Sequence, residues 1–187
     1  MINFFVSLIV GIFMGDTYLK DRAQRQLKTG ERRQICGGRV VLQKFHNRGA
    51  MLGMGEKHGP VVTAISLGLT LAASLLFVLS LSVYGSNLLR TGLSLLLGGA
   101  FSNTYDRLKQ QYVMDYVSFN VKWKPFGRLV FNVSDFCIIL GSMLSVLGLK
   151  DQGRKLKRLQ KRRQRRNRQS GSRNRMAAKQ DGRKNKK

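Results

Sequence analysis

The sequence predicts an all-α membrane protein with four transmembrane helices, a small extracytoplasmic β-like cradle and a disordered basic C-terminal tail. Long apolar runs fill residues 1–149, and residues 60–89 contain no charged side chain. About 20 apolar residues are enough to cross a bilayer. Residues 150–187 instead carry 18 of the 34 lysines and arginines and have no apolar periodicity, which is typical of disorder. We therefore divide the chain into a membrane domain, 1–149, and a tail, 150–187.

The apolar runs set the limits of the predicted helices, which cover about residues 2–18, 60–84, 88–106 and 129–149. The first run has no basic segment before it and no Ala-x-Ala-like site after it, so we interpret it as a retained helix and not as a cleaved signal peptide. The polar segment that follows contains a run of β-branched and apolar residues at 39–45, which predicts a short strand.

The distribution of basic residues predicts the orientation in the membrane. The tail follows the last helix directly, and the positive-inside rule therefore places it in the cytoplasm. With four spans, the N-terminus is then cytoplasmic, and residues 17–57 and 107–128 lie outside. Ten basic residues between Lys20 and Lys57 argue against this orientation. We prefer it because the tail has the higher charge density beside a span.

The pattern Asn-x-x-Asp occurs twice in apolar surroundings, at Asn103-Thr-Tyr-Asp106 and at Asn132-Val-Ser-Asp135. An ionisable residue within a membrane span is costly, and its default interpretation is functional. Antiparallel helices bring both motifs to the outer side, each with its asparagine on the same helix face at i−3. Two adjacent carboxylates share one proton, so that one can activate water while the other polarises a scissile carbonyl. The repeat predicts a catalytic dyad of Asp106 and Asp135, oriented by the two asparagines.

Other interpretations of these residues remain open. Asp106 and Arg107 could form an ordinary charge pair, and Asp135 could be a late N-cap of the last helix. Buried acids also serve proton transport. The alternative function is therefore a non-enzymatic membrane protein, either a proton-coupled carrier or a membrane tether that acts through its basic tail.

Two motifs around these acids resemble those of a known family. Gly98-Gly-Ala-Phe-Ser-Asn-Thr-Tyr-Asp-Arg107 resembles the Gly-Gly-Ala-x-Gly-Asn-x-x-Asp-Arg motif of lipoprotein signal peptidase, also called signal peptidase II. Phe131-Asn-Val-Ser-Asp135 resembles its Phe-Asn-x-Ala-Asp motif. Three further elements match in the right order: Asp16-Thr-Tyr-Leu-Lys20, Asn47-Arg-Gly-Ala50 and Val113-Met-Asp-Tyr-Val117. The resemblance covers about residues 1–149 and leaves the tail outside it.

The resemblance implies a four-span aspartic endopeptidase of the bacterial cytoplasmic membrane, with its site near the extracytoplasmic face. Such an enzyme cuts the signal peptide from a prolipoprotein just before a diacylglyceryl-modified cysteine. By motif position, Asp106 and Asp135 would be the catalytic dyad. The residues that bind or orient the substrate and the dyad would be Asn47, Asn103, Arg107 and Asn132. Supporting structural residues would be Asp16, Lys20, Gly49 and Asp115.

The same resemblance implies no metal and no organic cofactor. Its implied partners are lipid-modified prolipoproteins and membrane lipids, and we expect a monomer. Four positions depart from the family's motifs: Met51, Leu52, Ser102 and Ser134. Because none of them removes a carboxylate, we expect them to alter substrate range and not to abolish activity.

The tail contains a dense basic run at 161–166, which suits either anionic lipid head groups or nucleic acid. We favour lipid, because the tail adjoins a span and lacks the aromatic side chains on which bases stack. Nucleic acid is therefore an unlikely partner and would involve the tail alone.

Overall fold

The structure, a computed structural model, describes residues 2–49, 58–82, 86–121 and 129–184, with side chains up to residue 164 except that of Ser82. The chain forms two compact units, Met1–Gly148 and Leu149–Lys187. Met51 and Leu52, two of the expected departures from the family's motifs, lie outside the described residues.

Long helices dominate the described ranges: α1 (Ile2–Gln26), α2 (Gly59–Ser82), α3 (Asn87–Gln110) and α4 (Val133–Lys184). Among the described residues, three segments are long and apolar enough to cross a membrane: Ile2–Gln26, Gly59–Leu81 and Val133–Gln164. Helix α3 has 24 residues, which is also long enough, but it carries four charged side chains. Three membrane helices are thus supported by length and composition, and the fourth span remains a prediction.

The helices of the first unit pack closely through small residues. A Cβ atom at Gly98 would lie 2.7 Å from the Cβ atom of Ile12 on α1, and one at Gly99 would lie 2.5 Å from the carbonyl oxygen of Ser134 on α4. Small residues allow helix backbones to approach closely in lipid, where association depends on van der Waals contact. These two glycines therefore fix α3 between α1 and α4.

The apolar residues of the first unit divide between a core and an exposed surface. One buried cluster joins α1, α2 and α3 and consists of Phe5, Ala73, Phe77, Leu89, Leu93 and Leu97. Many other large apolar side chains are exposed, such as Leu71 and Leu75 on α2. Exposure on this scale is unusual in water, and it fits helices whose outer faces contact lipid.

Four strands form one antiparallel sheet in the order β1 (Arg32–Ile35), β2 (Val40–Asn47), β3 (Val113–Phe119) and β4 (Val130–Phe131). This sheet confirms the predicted small β-structure, and β2 begins one residue after the start of the run that predicted a strand. A tight turn joins β1 to β2, where Gly37 and Gly38 have φ angles of 67° and 82°. Such left-handed angles favour glycine. Strand β3 leads directly into the polar site described below.

Helix α4 continues through the described backbone of the tail as far as Lys184, and disorder of residues 150–187 stays a prediction of the sequence. The lack of apolar periodicity, on which that prediction rests, shows only that the tail has no core to join. Residues 150–164 are nevertheless rich in Lys, Arg, Gln and Leu, which are good helix formers, and they contain no proline. A helix that has already formed in the preceding residues can extend without the cost of a new nucleus.

Candidate active site

A cavity of about 540 Å³ opens among α2, α3, α4 and the sheet. Its apolar wall includes Leu69, Leu76, Leu96, Ile138 and Ile139. Its polar wall consists mainly of residues predicted for the site: Asn47, Asn103, Arg107, Asp115 and Asp135. One end of the cavity thus suits an apolar ligand and the other suits charged or hydrogen-bonding groups.

Asp115 lies on β3 and is buried, with 1% of its surface exposed. The side-chain amide of Asn132 donates to Oδ1 at 2.6 Å, and that of Asn47 donates to Oδ2 at 3.0 Å. Burial raises the pKa of Asp115 to about 7, and the nearby charge of Asp135 acts in the same direction. The two amide hydrogen bonds act in the opposite direction and offset only part of this rise in the pKa. Asp115 therefore holds a proton more readily than an ordinary aspartate.

Asp135 lies in the first turn of α4 and faces the same cavity. Its Oδ1 accepts a hydrogen bond from Asn103 Nδ2 at 3.0 Å, and its Oδ2 accepts one from the backbone N–H of Asn132 at 3.0 Å. The backbone N–H of Asp135 donates in return to Asn132 Oδ1 at 2.9 Å. This reciprocal pair caps the start of α4, so helix capping and site geometry depend on the same residues.

Asn132 connects the two carboxylates of the cavity. Its Nδ2 donates to Asp115 at 2.6 Å and also lies 3.2 Å from Asn103 Oδ1. Asn103 in turn donates to Asp135. The two asparagines of the Asn-x-x-Asp repeat therefore orient carboxylates as the sequence predicted, but the carboxylates that they contact directly are Asp115 and Asp135.

Asp106 has a different environment from the predicted one. Its Oδ2 lies 3.1 Å from Lys20 Nζ and accepts a hydrogen bond from the backbone N–H of Met114 at 3.4 Å. Asp106 is not among the residues that line the cavity, and within the described residues no hydrogen bond joins it to Asp135. The depth of an acid along α3 does not determine the direction in which its side chain points around the helix. Among the described contacts, Asp106 is paired with Lys20 and not with Asp135.

Lys20 is the centre of a buried ion cluster. Its Nζ lies 2.8 Å from Asp16 Oδ2 as well as 3.1 Å from Asp106, and it also donates to Ser102 Oγ at 2.9 Å and Asn103 Oδ1 at 2.8 Å. A buried ammonium group needs such partners, since an unpaired charge in the interior is very costly. The bond to Asn103 fixes the carbonyl end of that amide and leaves its NH₂ group for Asp135.

The two described departures from the family's motifs meet at Asp16. The hydroxyls of Ser102 and Ser134 donate to the same oxygen of this carboxylate, at 2.7 and 2.5 Å, and both serines are fully buried. The backbone N–H of Ser134 and the hydroxyl of Tyr116 approach the other oxygen at 3.3 and 3.4 Å. Asp16 therefore ties α1 to α3, α4 and β3 directly beneath the cavity.

Arg107 connects α3 to the end of β2. Its Nη2 donates to the carbonyl oxygen of Gly49 at 3.0 Å, and the N–H of Gly49 donates to Asn47 Oδ1 at 3.0 Å. Arg107 is largely buried, and its Nε has no partner among the described residues. None of the described ion pairs joins it to Asp106, so the simple charge pair considered above does not form. The contact instead places Asn47 against Asp115.

The sequence predicted only a supporting role for Asp115. Its position does, however, indicate that it needs specific partners, because this acid interrupts a run of apolar and aromatic residues from Val113 to Val117. In a strand, such a residue must either face solvent or be held by buried partners. Within the described residues, no group of three or more His, Cys, Asp or Glu side chains is placed to hold a metal ion.

These observations define the class of the molecule: a helical membrane protein with two adjacent carboxylates at the polar end of a mostly apolar cavity. The model of the signal peptidase (SPase) II family matches residues 8–149. The chain therefore belongs to the signal peptidase II family. Membership of this family makes it a protease, and its apolar helices are consistent with a protein of the bacterial inner membrane.

Curated relatives and solved structures agree with this assignment. The lipoprotein signal peptidase of Clostridium tetani is 28% identical over 142 residues, which cover 76% of this chain and 88% of that protein. The one from Clostridium acetobutylicum is 33% identical over 135 residues, covering 72% and 85%. A bacterial membrane enzyme solved by the in meso method at 2.3 Å resolution superposes with a TM-score of 0.72 at 21% identity, covering 82% of this chain and 91% of that one. At this identity, the superposition supports the fold alone.

Proposed function

We propose that the chain removes signal peptides from lipid-modified prolipoproteins and that Asp115 and Asp135 are its hydrolytic pair. The family membership and the names of the relatives support the substrate class. The observation that carries the catalytic assignment is the lining of the cavity, where these are the only acidic residues among those described. Asn132 and Asn103 link the two carboxylates, as a pair that acts together requires.

The proposed mechanism assigns one proton to the pair. The raised pKa of Asp115, about 7, favours its protonated form at neutral pH and below, and this acid can donate a hydrogen bond to the scissile carbonyl. Ionised Asp135 takes a proton from the attacking water, whose oxygen bonds to the carbonyl carbon. The carbonyl oxygen receives the proton of Asp115, and the tetrahedral intermediate forms. As the C–N bond breaks, Asp135 returns a proton to the leaving nitrogen and Asp115 recovers its own.

The apolar wall of the cavity supports a substrate that is itself apolar. Leu69 and Leu76 of α2 face Ile138 and Ile139 of α4 across the cavity. A signal peptide and acyl chains can bury apolar surface there, at about 25 cal/mol for each Å² removed from water. Asn103, Arg107 and Asn47 offer donors and acceptors for the peptide backbone at the other end.

The orientation follows from the same proposal. Helix α3 acts as the fourth span, the cavity opens near the extracytoplasmic face, and the tail lies in the cytoplasm. The enzyme acts as a monomer. The lipid anchor of a translocated prolipoprotein then lies at the same depth as the two carboxylates. Cysteine labelling from each side of intact cells, at the exposed Asn120 after β3 and at Gln160 in the tail, tests this arrangement.

The catalytic assignment is tested with three matched variants: Asp115→Asn, Asp135→Asn and Asp106→Asn. Each full-length protein is purified and assayed for cleavage of a diacylated prolipoprotein, with thermal unfolding measured in parallel. We expect the first two to lose cleavage by a factor of at least about 10³ while they remain folded, because both dyad members are needed. We expect Asp106→Asn to cleave at a reduced rate and to unfold more easily. Full cleavage by Asp115→Asn, with none by a folded Asp106→Asn, would favour the dyad of Asp106 and Asp135 instead.

A further inference from the structure

We name the segment of α4 from Leu149 to Gln164 the basic segment. After Leu149 it lies beyond the family match, and it takes no part in the proposed chemistry. It contains eight lysines and arginines and one acid, Asp151, which is ion-paired to Lys155 at 2.8 Å. The basic side chains of this segment are exposed to solvent. A charge of this density, directly after the uncharged apolar residues of the same helix, requires an anionic partner or many counterions.

The basic segment has two different faces. At about 100° per residue, seven of its eight basic residues fall within an arc of roughly 160°. These residues are Lys150, Arg154, Lys155, Lys157, Arg158, Lys161 and Arg162. Three leucines occupy an arc of about 80° on the opposite side, which they share with the eighth basic residue, Arg163. The leucines are Leu149, Leu156 and Leu159, which are 56%, 58% and 60% exposed.

We propose that the basic segment binds the anionic phospholipid head groups of the membrane that the chain spans. Helices with exposed leucines on one face and Lys or Arg on the other are typical of membrane surfaces, where phosphates lie above an apolar interior. The apolar residues 133–148 precede the basic segment in the same helix. Once they span the membrane, they keep its surface at a high effective concentration around the basic segment. Each basic residue near an anionic surface strengthens binding by roughly five-fold at low salt.

Nucleic acid fits the same charges less well. Proteins that bind single strands combine basic residues with aromatic side chains on which bases stack. Residues 150–187 contain no aromatic residue. A nucleic acid would also leave the exposed leucines without an apolar surface to contact, whereas the apolar layer beneath lipid head groups accommodates them.

The test uses the full-length protein in nanodiscs of phosphatidylcholine alone or with one third phosphatidylglycerol. Hydrogen exchange of peptides from the basic segment is measured by mass spectrometry. We expect exchange to be slower by a factor of at least about 10 with the anionic lipid, and the difference to disappear in 1 M salt, where the screening length falls to about 3 Å.

Two variants of equal net charge sharpen the test. In the first, four residues of the basic segment become glutamine: Arg154, Lys157, Arg158 and Arg162. In the second, four exposed residues of the first polar segment become glutamine: Arg22, Lys28, Arg32 and Arg39. We expect the first variant alone to lose the lipid-dependent protection, while both still cleave prolipoprotein. Cleavage therefore reports on the proposed function separately.

Three results would overturn the proposal. Equal exchange in the two kinds of nanodisc would leave the basic segment as a solvated helix. Equal loss in both variants would assign the effect to net charge alone. Protection by a short RNA in phosphatidylcholine nanodiscs, without protection by phosphatidylglycerol, would identify a nucleic-acid partner instead.

Discussion

Two groups of buried aspartates lie on either side of Asn103, which bonds Lys20 in one group and Asp135 in the other. The groups differ in what contacts their carboxylates. In the ion cluster, Asp16 and Asp106 both contact the ammonium group of Lys20. In the cavity, Asp115 and Asp135 have no ion-pair partner within hydrogen-bonding distance among the described residues, and amides and backbone N–H groups hold them instead. The ammonium group of Lys20 links Asp16 and Asp106 through one cation, which suits a structural role. The pair held by amides is the one to which we assign the proton exchange of the proposed mechanism.

The comparison also shows how the ion cluster supports the cavity. Lys20 contacts Asn103, and Asn103 contacts Asp135, so one hydrogen-bond chain leads from the cluster to the proposed pair. Asp16 holds Ser134, the residue directly before Asp135. The ion cluster therefore helps to fix the position of Asp135.

The largest expected effect comes from removing the cation of the ion cluster. Lys20→Met leaves Asp16 and Asp106 buried without a counter-charge, and removal of one partner from a buried pair costs about 3–5 kcal/mol. We expect a large drop in the unfolding temperature in detergent. The matched control is Arg25→Met, because Arg25 and Asp21 form an exposed pair worth about 0.2–1 kcal/mol. Equal unfolding temperatures for the two variants would contradict the structural role of the cluster.

A second prediction concerns the link between the cavity carboxylates. Asn132→Ala removes the donor to Asp115 and the N-cap acceptor of α4 at once. We expect cleavage to fall by about 10²-fold from misplaced groups and stability to fall by about 1–2 kcal/mol. Asn120→Ala, which removes an exposed bond to the carbonyl of Gly38, is the control. A variant that loses stability but cleaves normally would show that Asn132 only caps the helix.

A third prediction uses pH to separate the two groups. Asp115 has a folded-state pKa of about 7, raised from 3.8 by burial, so the folded protein binds more protons than the unfolded chain between these values. This group stabilises the fold below about pH 4, and that contribution is lost as the pH rises through about 7, by a few kcal/mol at most. Cleavage should also decline above about pH 7, since the proposed mechanism needs the proton of Asp115.

The control for this pH dependence is Asp115→Asn, which does not titrate. Unfolding of the wild type and of this variant is followed from pH 4 to 8 under identical conditions. The loss of stability with rising pH should be smaller in the variant. An unchanged slope would assign the effect to another group.

The smallest expected effect tests the serines of the ion cluster. Ser134→Ala restores the residue of the family's motif and removes one donor from Asp16, which retains several others. We expect a loss of about 1–2 kcal/mol in stability and less than about three-fold in cleavage. Ser145→Ala is the control, since that hydroxyl donates to the carbonyl of Gly141 on the same helix and Ser145 is not among the residues that line the cavity. A loss of cleavage as large as that of Asn132→Ala would move Ser134 into the reacting group.

Much of the fold could be predicted from the sequence. Long apolar runs must form helices in lipid, since every backbone group there needs an internal partner. This requirement predicts the positions of α1 to α4, but not the extension of α1 to Gln26 or of α4 to Lys184. The strand at Val40–Asn47 followed from its β-branched residues. The backbone of the tail could not be predicted in the same way, because a polar segment can extend a helix that has already formed.

The candidate site was predicted residue by residue, but its pairing was not. Asn47, Asn103 and Asp135 line the cavity, and Asn132 lies beside it, where it bonds Asp115. Asp106 does not line the cavity, because the direction of a side chain around α3 depends on which helix packs against it, and α1 brings Lys20 to that side. Asp115 enters the cavity because the sheet pairs β3 with β2, a contact between residues far apart in the chain.

The sequence by itself determined the membrane class, the positions of the apolar helices and the set of polar residues that share one region. These properties depend on local composition and on the cost of placing charge in lipid. Only the tertiary structure decided which of the buried aspartates contact Lys20 and which line the cavity. That choice depends on packing directions and strand pairing: the ammonium group of Lys20 lies next to Asp16 and Asp106, while amides and backbone N–H groups hold Asp115 and Asp135.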